Sequence, residues 1–242
     1  MPYLEKKTKV RNKVYVEKVY SARYGKNTIP GPKEKKTKDK VKSQQQRERV
    51  KKLNWLLEEN FEPGDWHITL TFAKDQRTTD QKKLQEIKKE FMKEMRKIYR
   101  TAGKELKYIC VQEHLKTTVH YHMVINDIPD LHKKLPKIWR KGRMYMEPLY
   151  ESECGFKQLA SYLLKEKADG KKQKGAMSYT RSRNLTVPET KVRVIRNVRW
   201  KKYPKPPRGY EIDPHSVKEY VDKFGYLKQT YTLMQISPKR RI

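Results

Sequence analysis

The stretch "LKYICVQEHLKTTVHYHMVIND" (residues 106–127) carries the strongest fold signal in this sequence. Two runs that favour β-structure, at 106–113 and 119–127, flank the short polar turn "HLKTT". Two strands joined by so short a turn predict an antiparallel hairpin. Upstream, "WHITLTFA" (66–73) alternates apolar and polar residues with a period of two, which predicts a strand with one buried and one polar face. Together these segments indicate an antiparallel sheet.

Segments with helical spacing of their apolar residues surround these strands. Helices are predicted over 50–60, over 79–101 with Thr79 or Asp80 as the cap, over 130–139 and over 154–168. "GRMYMEPLY" (142–150) predicts a further strand. The fold class expected is α+β, an antiparallel sheet with helices packed on it.

The charge balance points to a polyanionic partner. Lys and Arg number 59 against 28 Asp and Glu, a formal net charge of +31. Such an excess repels itself in a compact chain, so nucleic acid is the expected partner and an anionic membrane surface the weaker alternative. No apolar run approaches the roughly 20 residues that span a bilayer. The start "MPYLEKKTKVRNK" lacks a signal-type apolar segment, and Cys110 and Cys154 form neither a disulfide framework nor a CxxC pair, so a cytoplasmic setting is expected.

The second strand of the hairpin carries two histidines at alternate positions. Residues two apart in a strand share a face, so the Cα atoms of His120 and His122 are expected about 7 Å apart on one side. Glu113 lies near the same end of the partner strand. Two imidazoles and a carboxylate leave coordination positions open for water and substrate, as a catalytic metal requires. One alternative is that the two histidines are simply exposed polar residues. Another is a non-haem iron oxygenase, but an oxygenase for small molecules does not need a net charge of +31.

Three segments in order, "DWHITLTF" (65–72), "HYHMVI" (120–125) and "YLLK" (162–165), resemble the motifs of rolling-circle replication initiators of the HUH (His-hydrophobic-His) endonuclease superfamily, of the bacterial plasmid and single-stranded-DNA phage type. The resemblance implies a ferredoxin-like or RRM-like fold. It also implies nicking of single-stranded origin DNA by a tyrosine, which leaves a 5′-phosphotyrosine and a free 3′-OH. A host helicase and polymerase are expected partners, since the sequence lacks a GxxxxGKS/T phosphate loop.

The resemblance spans about 50–190 and so divides the chain into a basic N-terminal arm over 1–49, the endonuclease domain and a basic C-terminal extension over 191–242. Within the ends, 13–25 predicts a short strand and 216–236 a small helix-and-strand addition. A solvated, partly disordered arm is the alternative for the N-terminal segment.

The resemblance also implies roles for individual residues. His120 and His122 are the metal ligands with Glu113 as the third, and the metal is Mn²⁺ or Mg²⁺. Tyr162 is the nucleophile and Lys165 its companion one helical turn on. A neighbouring ammonium and a metal-bound phosphate both favour the phenolate that attack requires.

Other residues enter as secondary expectations. Tyr150 and Tyr179 are alternative nucleophiles. Glu166 stands where some initiators carry a second tyrosine, so one covalent link per protomer is expected, and a role for Glu166 in activating water is a hypothesis. His114, in the turn, is expected to be solvated.

DNA contacts are expected from polar and basic residues around these motifs. The candidates are His67, Thr69, Thr71, Arg181, Arg183, Trp200, Lys201, Lys202 and Tyr203. The C-terminal aromatic residues have an alternative role, packing the extension onto the core. At the level of function, the alternatives are a transposase or mobilisation relaxase with the same site, and a non-catalytic RRM-like nucleic-acid-binding protein without metal dependence.

Overall fold

The computed structural model describes residues 3–21, 24, 38–114, 119–153, 155–165, 179–196, 200–221 and 225–236. The chain forms two compact units, Gln44–Thr186 and a terminal unit made of Met1–Ser43 with Val187–Ile242. The division predicted at 49/50 and 190/191 stays a prediction, and the structure groups the two ends of the chain in one unit. No helix in the described part of the chain is long and apolar enough to cross a membrane.

The described residues form helices and strands in the following order along the chain. The helices are α1 (Lys38–Asn60), α2 (Gln81–Thr101), α3 (Leu131–Ile138) and α4 (Lys157–Leu163). The strands are β1 (Tyr3–Val10), β2 (Lys13–Tyr20), β3 (Trp66–Leu70), β4 (Tyr108–His114), β5 (Val119–Ile125), β6 (Met144–Pro148), β7 (Thr180–Arg181), β8 (Thr190–Ile195), β9 (Tyr210–Ile212), β10 (Lys218–Val221) and β11 (Leu227–Gln235).

The unit Gln44–Thr186 is built on one antiparallel sheet with the strand order β6-β3-β5-β4-β7. Along the chain, its elements follow as β3-α2-β4-β5-α3-β6, the order of two interleaved split β-α-β motifs. Both α2 and α3 pack on the same face of the sheet, where Ile68 and Met123 are fully buried between them. This is a ferredoxin-like arrangement, and the predicted α+β fold class is confirmed.

A second layer of helices covers the opposite face of this sheet. There Val111 and Val124 pack against Leu57 of α1 and Ala160 of α4. The polar residue His67, on the same face of β3, is 9% exposed. The alternation in 66–73 therefore predicted the polar side chains correctly, but α1 and α4 shield that face from solvent.

The helices begin and end where local chemistry allows. Asp80 caps α2 as predicted, and its side chain accepts a hydrogen bond of 2.9 Å from the backbone N–H of Lys82. The helix predicted over 154–168 is shorter, since α4 ends at Leu163. Past that end, the backbone N–H of Lys165 donates to the carbonyl of Tyr162 at 3.2 Å, which closes a tighter turn.

The terminal unit is a six-stranded sheet in which β10, β11, β2, β1 and β8 are consecutive neighbours and β9 pairs with β11. The hairpin β1-β2 lies between strands from the other end of the chain: β1 pairs with β8 and β2 with β11. Val16, Tyr231 and Leu233 form its buried cluster. The strand predicted over 13–25 is present as β2. The prediction of a helix within 216–236 is wrong, because Lys218–Val221 is a strand paired with β11.

Candidate active site

The strand register brings the polar residues of the central sheet onto one face. Thr69 on β3 lies opposite His122 on β5, and Glu113 on β4 lies opposite His120. His67 is two residues before Thr69 on the same strand, so it shares this face. Polar groups from three neighbouring strands therefore meet beneath α1 and α4.

His122 is the centre of this group. It is 4% exposed, with its Nε2 at 3.0 Å from Glu113 Oε2 and its Nδ1 at 3.2 Å from Thr69 Oγ1. Because a carboxylate only accepts hydrogen bonds, Nε2 donates to Glu113, and in the neutral ring Nδ1 accepts from the Thr69 hydroxyl. Both ring nitrogens are thus engaged, and the imidazole is held in one orientation.

His67 adds a second buried imidazole beside His122. The two rings are nearly parallel, with centroids 5.7 Å apart, and His67 Nδ1 lies 3.6 Å from Glu147 Oε2 on β6. Burial lowers the pKa of His67 and the neighbouring His122 lowers it further, against the opposing effect of Glu147. Its buried Nε2 has no hydrogen-bond partner among the described residues. His67 is therefore a neutral imidazole with one nitrogen open to a further ligand.

Tyr162 approaches these histidines from α4. Its ring is perpendicular to His122 with centroids 5.3 Å apart, and edge-on to His67 at 6.2 Å. The side chain is 53% exposed, so substrate can reach it. Burial raises the pKa of the Tyr162 phenol, and the carboxylates of Glu113 and Glu147 raise it further. The phenol is consequently protonated at neutral pH in the protein without bound ligands.

Lys165 does not have the position expected of it. Helix α4 ends at Leu163, so Lys165 lies outside the helix that carries Tyr162. A role for its ammonium in favouring the phenolate stays a prediction. In the described part of the chain, the charges that shift the pKa of Tyr162 are the carboxylates named above.

The start of α4 is positioned by a glycine that sequence reasoning missed. Gly155 has a φ of +68°, and a Cβ added to it would lie 1.5 Å from Oε1 of Glu58 on α1. Glu58 is itself buried and accepts a hydrogen bond of 2.9 Å from Asn54. The turn is closed by paired backbone hydrogen bonds between Ser152 and Gly155. A glycine at the second position of the helix predicted over 154–168 was the available signal for this close approach.

A cavity of about 190 Å³ has His67 in its lining. Its other polar lining residues are Glu147 on β6, Tyr150, Ser152 and, on α4, Gln158. Tyr150, an alternative nucleophile, is 83% exposed at this wall. Tyr179, the other alternative, is partly buried against the core between the sheet and α1. The ring contacts with His122 and His67 thus distinguish Tyr162 from both.

The side chains at this site are of types that bind divalent metal ions. Among the described residues, no three His, Cys, Asp or Glu side chains form a ready coordination cluster. Glu113 Oε2 and His122 Nε2 nevertheless face each other, and His120 is directly opposite Glu113 in the register. His67, which the sequence assigned to DNA, has a buried Nε2 without a hydrogen-bond partner among the described residues. Imidazole nitrogens with one carboxylate suit a first-row divalent cation.

The remaining predicted DNA contacts lie in both units. Thr71 donates to the carbonyl of Arg143 at 3.0 Å, so its hydroxyl holds the chain that leads into β6. Arg181 and Arg183 are exposed in the unit Gln44–Thr186. The side chain of His114 and all of Glu166 lie outside the described residues.

Four predicted contacts belong to the terminal unit. The ring of Trp200 packs against Tyr3 of β1, with the ring centroids 5.0 Å apart, a contact within the terminal unit. Tyr203 is 73% exposed, and Lys202 Nζ lies 5.8 Å from its ring centroid. Lys201 is exposed beside them. Tyr203 therefore has a ring accessible to a stacking partner.

Comparison with known proteins supports the class of protein that the fold and site indicate. Residues 65–167 match the family model described as Replication-associated protein ORF2/G2P. The matched segment runs from β3 to just beyond α4 and contains every predicted metal and catalytic residue. No curated protein and no solved structure matches the chain. The resemblance to replication initiators is thus confirmed at the level of this family, and the terminal unit lies outside the match.

Proposed function

We propose that the chain initiates replication by nicking single-stranded origin DNA, with Tyr162 as the nucleophile. The observation that carries this proposal is the contact between the Tyr162 ring and His122, whose Nε2 is bonded to Glu113. These residues come from α4, β5 and β4 and converge at one point of the sheet. The match to a replication-associated family covers all three.

The reaction exchanges one phosphoester bond for another. Tyr162 Oη bonds to the phosphorus, the bond from phosphorus to the 3′ oxygen breaks, and that oxygen leaves as a 3′-OH after taking up a proton. The phenol proton passes to a base at the site. The product is a 5′-phosphotyrosine, which retains the ester energy needed for later rejoining, and a 3′-OH that primes synthesis.

Metal binding is part of this proposal. Glu113, His120 and His122 would hold Mn²⁺ or Mg²⁺, with His67 Nε2 available as a further donor. When bound, the ion would supply Lewis-acid polarisation of the scissile phosphate. If His122 ligates through Nε2, its Nδ1 carries the proton and donates to Thr69 Oγ1, so Thr69 fixes the ring in either state.

The charged residues of the site disfavour deprotonation of the Tyr162 phenol. Glu113 and Glu147 hold the pKa of Tyr162 above its ordinary value. If Glu113 held a cation, the charge of its carboxylate would be offset and the phenolate would be favoured. When its Nε2 does not hold the metal, the neutral imidazole of His67, beside Tyr162, is the candidate to accept the proton.

Other nucleases of the superfamily share this chemistry, and the family match favours replication over transposition or mobilisation. We expect the protein to act in the cytoplasm of a bacterial cell on plasmid or phage DNA, with a host helicase and polymerase. A non-catalytic binding protein is the competing function, and it predicts no metal dependence.

The test is a nicking assay on single-stranded oligonucleotides that tile the replicon encoding this chain. Reactions contain Mn²⁺, Mg²⁺ or chelator, and the covalent protein–DNA adduct is followed on a denaturing gel. Metal-dependent adduct formation is expected for the parent chain and for Tyr220→Phe, a matched control on β10. It is expected to disappear in Tyr162→Phe. An adduct that persists in Tyr162→Phe assigns the nucleophile to another tyrosine. If the tiled oligonucleotides are bound but none is cleaved with any metal, the result favours a non-catalytic binding protein.

A further inference from the structure

A row of polar side chains crosses the terminal sheet outside the family match. The register places Gln229 on β11 beside Lys18 on β2, then Glu5 on β1, then Arg193 on β8. Lys18 Nζ donates to Gln229 Oε1 at 3.1 Å. Neighbouring positions in register lie on the same face of a sheet, so this row forms one continuous polar floor.

The segment after β8 is held at this floor. Gln229 is fully buried, and its Nε2 donates to the carbonyl of Lys201 at 2.8 Å and to that of Lys202 at 3.2 Å. A cavity of about 780 Å³ is lined by floor residues together with Arg196, Trp200 and Lys201. Its size falls in the range of small-molecule sites.

The lining is strongly cationic. It contains Lys18, Arg193, Arg196 and Lys201, and Glu5 is the one carboxylate among the described lining residues. Glu5 is buried and already paired with Arg193 Nε and, at 3.3 Å, with Lys7 outside the lining. Burial lowers the pKa of Lys18, and the neighbouring cations Lys7 and Arg193 act in the same direction, against Glu5. An anion in the cavity would relieve this crowding of positive charge.

Trp200 adds a donor without an acceptor. Its Nε1 is buried and has no hydrogen-bond partner among the described residues. Its ring packs edge-on against Tyr3, with Lys18 Nζ 5.5 Å from the ring centroid. An indole N–H only donates, so the partner it lacks is an acceptor oxygen. Clustered cations and an open N–H together suit a group with several anionic oxygens.

We propose that the cavity lined by Lys18, Arg196, Trp200 and Lys201 binds the phosphate of a nucleotide, carried by a single-stranded nucleic acid or present as a free mononucleotide. This is a second binding site, in a different unit from the candidate nicking site and independent of its chemistry. It gives Trp200 a role other than the base stacking expected from the sequence: the residue forms the cavity wall and donates its N–H.

The experiment uses the full chain with Tyr162→Phe, so that cleavage does not interfere, labelled with 5-fluorotryptophan. The protein has 4 tryptophans, and the Trp200 fluorine resonance is assigned by its loss in Trp200→Phe. Thymidine 5′-monophosphate and a short oligothymidylate are titrated separately. The Trp200 resonance is expected to shift on saturation with at least one of them. A shift with the mononucleotide identifies a nucleotide site, and a shift with the oligonucleotide alone identifies a strand site.

Charge variants complete the test. Arg196→Ala, at an exposed position, and Lys18→Gln are each expected to weaken the Kd read from this shift about tenfold. For oligonucleotide binding, the logarithm of the association constant falls linearly with the logarithm of the salt concentration. Each variant is also expected to make this slope less steep by roughly 0.7 per lost phosphate contact. The matched control is Lys9→Ala, which removes one exposed charge from β1 outside the cavity.

Two results would overturn the proposal. One is a Trp200 resonance that neither ligand moves. The other is a loss of affinity in Lys9→Ala equal to that in Arg196→Ala, which means diffuse attraction to a basic surface. The assay reads the Trp200 resonance in a Tyr162→Phe chain, which lacks the proposed nucleophile. A negative result for this cavity is therefore independent of whether the nicking proposal holds.

Discussion

The ring of Tyr162 on α4 stands perpendicular to the imidazole of His122 on β5, with the ring centroids 5.3 Å apart. His122 is held from its other sides by Glu113 and Thr69. A half-exposed phenol therefore meets a buried, oriented imidazole next to a carboxylate. Four expected outcomes follow from this arrangement.

Nicking by Tyr162 is expected to accelerate as pH rises, because the raised pKa of its phenol keeps it protonated at neutral pH. Removing a nearby negative charge favours the phenolate. Glu147→Gln is therefore expected to move the rising limb of the pH–rate profile to lower pH. Glu94→Gln, which removes a carboxylate of α2 that pairs with Lys97, is the control and leaves the profile in place. A Glu147→Gln profile shifted to higher pH contradicts the electrostatic assignment.

Thr69 is expected to act as a positioning residue for metal binding through His122. Thr69→Val removes the hydroxyl at His122 Nδ1, and loss of such a partner typically costs about 10- to 100-fold in metal affinity. Thr69→Ser retains the hydroxyl and is expected to restore affinity. Thr101→Val controls for loss of a threonine hydroxyl elsewhere, since that group bonds to the carbonyl of Lys97. Calorimetric titration with Mn²⁺ measures each variant, and equal affinity for Thr69→Val and the parent chain rules out the role.

Metal binding is expected to stabilise the unit Gln44–Thr186. An ion present at about 100 times its Kd adds roughly 2.7 kcal/mol to the free energy of unfolding. His122→Ala is expected to abolish this gain, whereas His132→Ala, at an exposed position on α3, retains it. Thermal unfolding with Mn²⁺ and with chelator makes the comparison. A gain that survives in His122→Ala places the metal elsewhere.

Gly155 is expected to tolerate alanine poorly. Gly155→Ala adds a Cβ at a φ of +68° that would overlap Glu58. Gly103→Ala is a matched control, because Gly103 has a φ of +67° and nothing within 4 Å of the added Cβ. In Gly103→Ala the free energy of unfolding is expected to fall by roughly 1–2 kcal/mol through backbone strain alone. In Gly155→Ala it is expected to fall by at least about 1 kcal/mol more, because the added Cβ also overlaps Glu58. Chemical denaturation gives both values; equal losses would mean that Glu58 moves aside freely.

The central sheet was largely predictable from local patterns. The hairpin at 106–127, the strand beginning at Trp66 and the capped helix after Asp80 follow from period-two alternation, helical spacing and a side-chain cap. The shared face of His120 and His122 follows from strand geometry. The end of α4 was not predictable in this way, because apolar residues continue to its last turn and the sequence contains no glycine or proline there to stop it.

The site shows the same division. The motifs singled out His122 and Tyr162, and the hairpin added Glu113; the structure brings these three side chains together. His67 was assigned to DNA, with a plain hydrogen bond or an approach to the metal as the alternatives. Its burial beside His122 depends on α1 and α4 covering that face, which the strand's own sequence does not encode.

By itself the sequence determined most strands and helices of the unit Gln44–Thr186 and which of their side chains share a face, and it predicted a polyanionic partner. These properties depend on residues a few positions apart and on total charge. The tertiary structure decided which distant segments meet: β1 with β8, β2 with β11, and Tyr162 with His122. Such contacts form when the free energy gained by packing the whole fold exceeds the conformational entropy cost of closing long loops. Local sequence patterns do not contain that information.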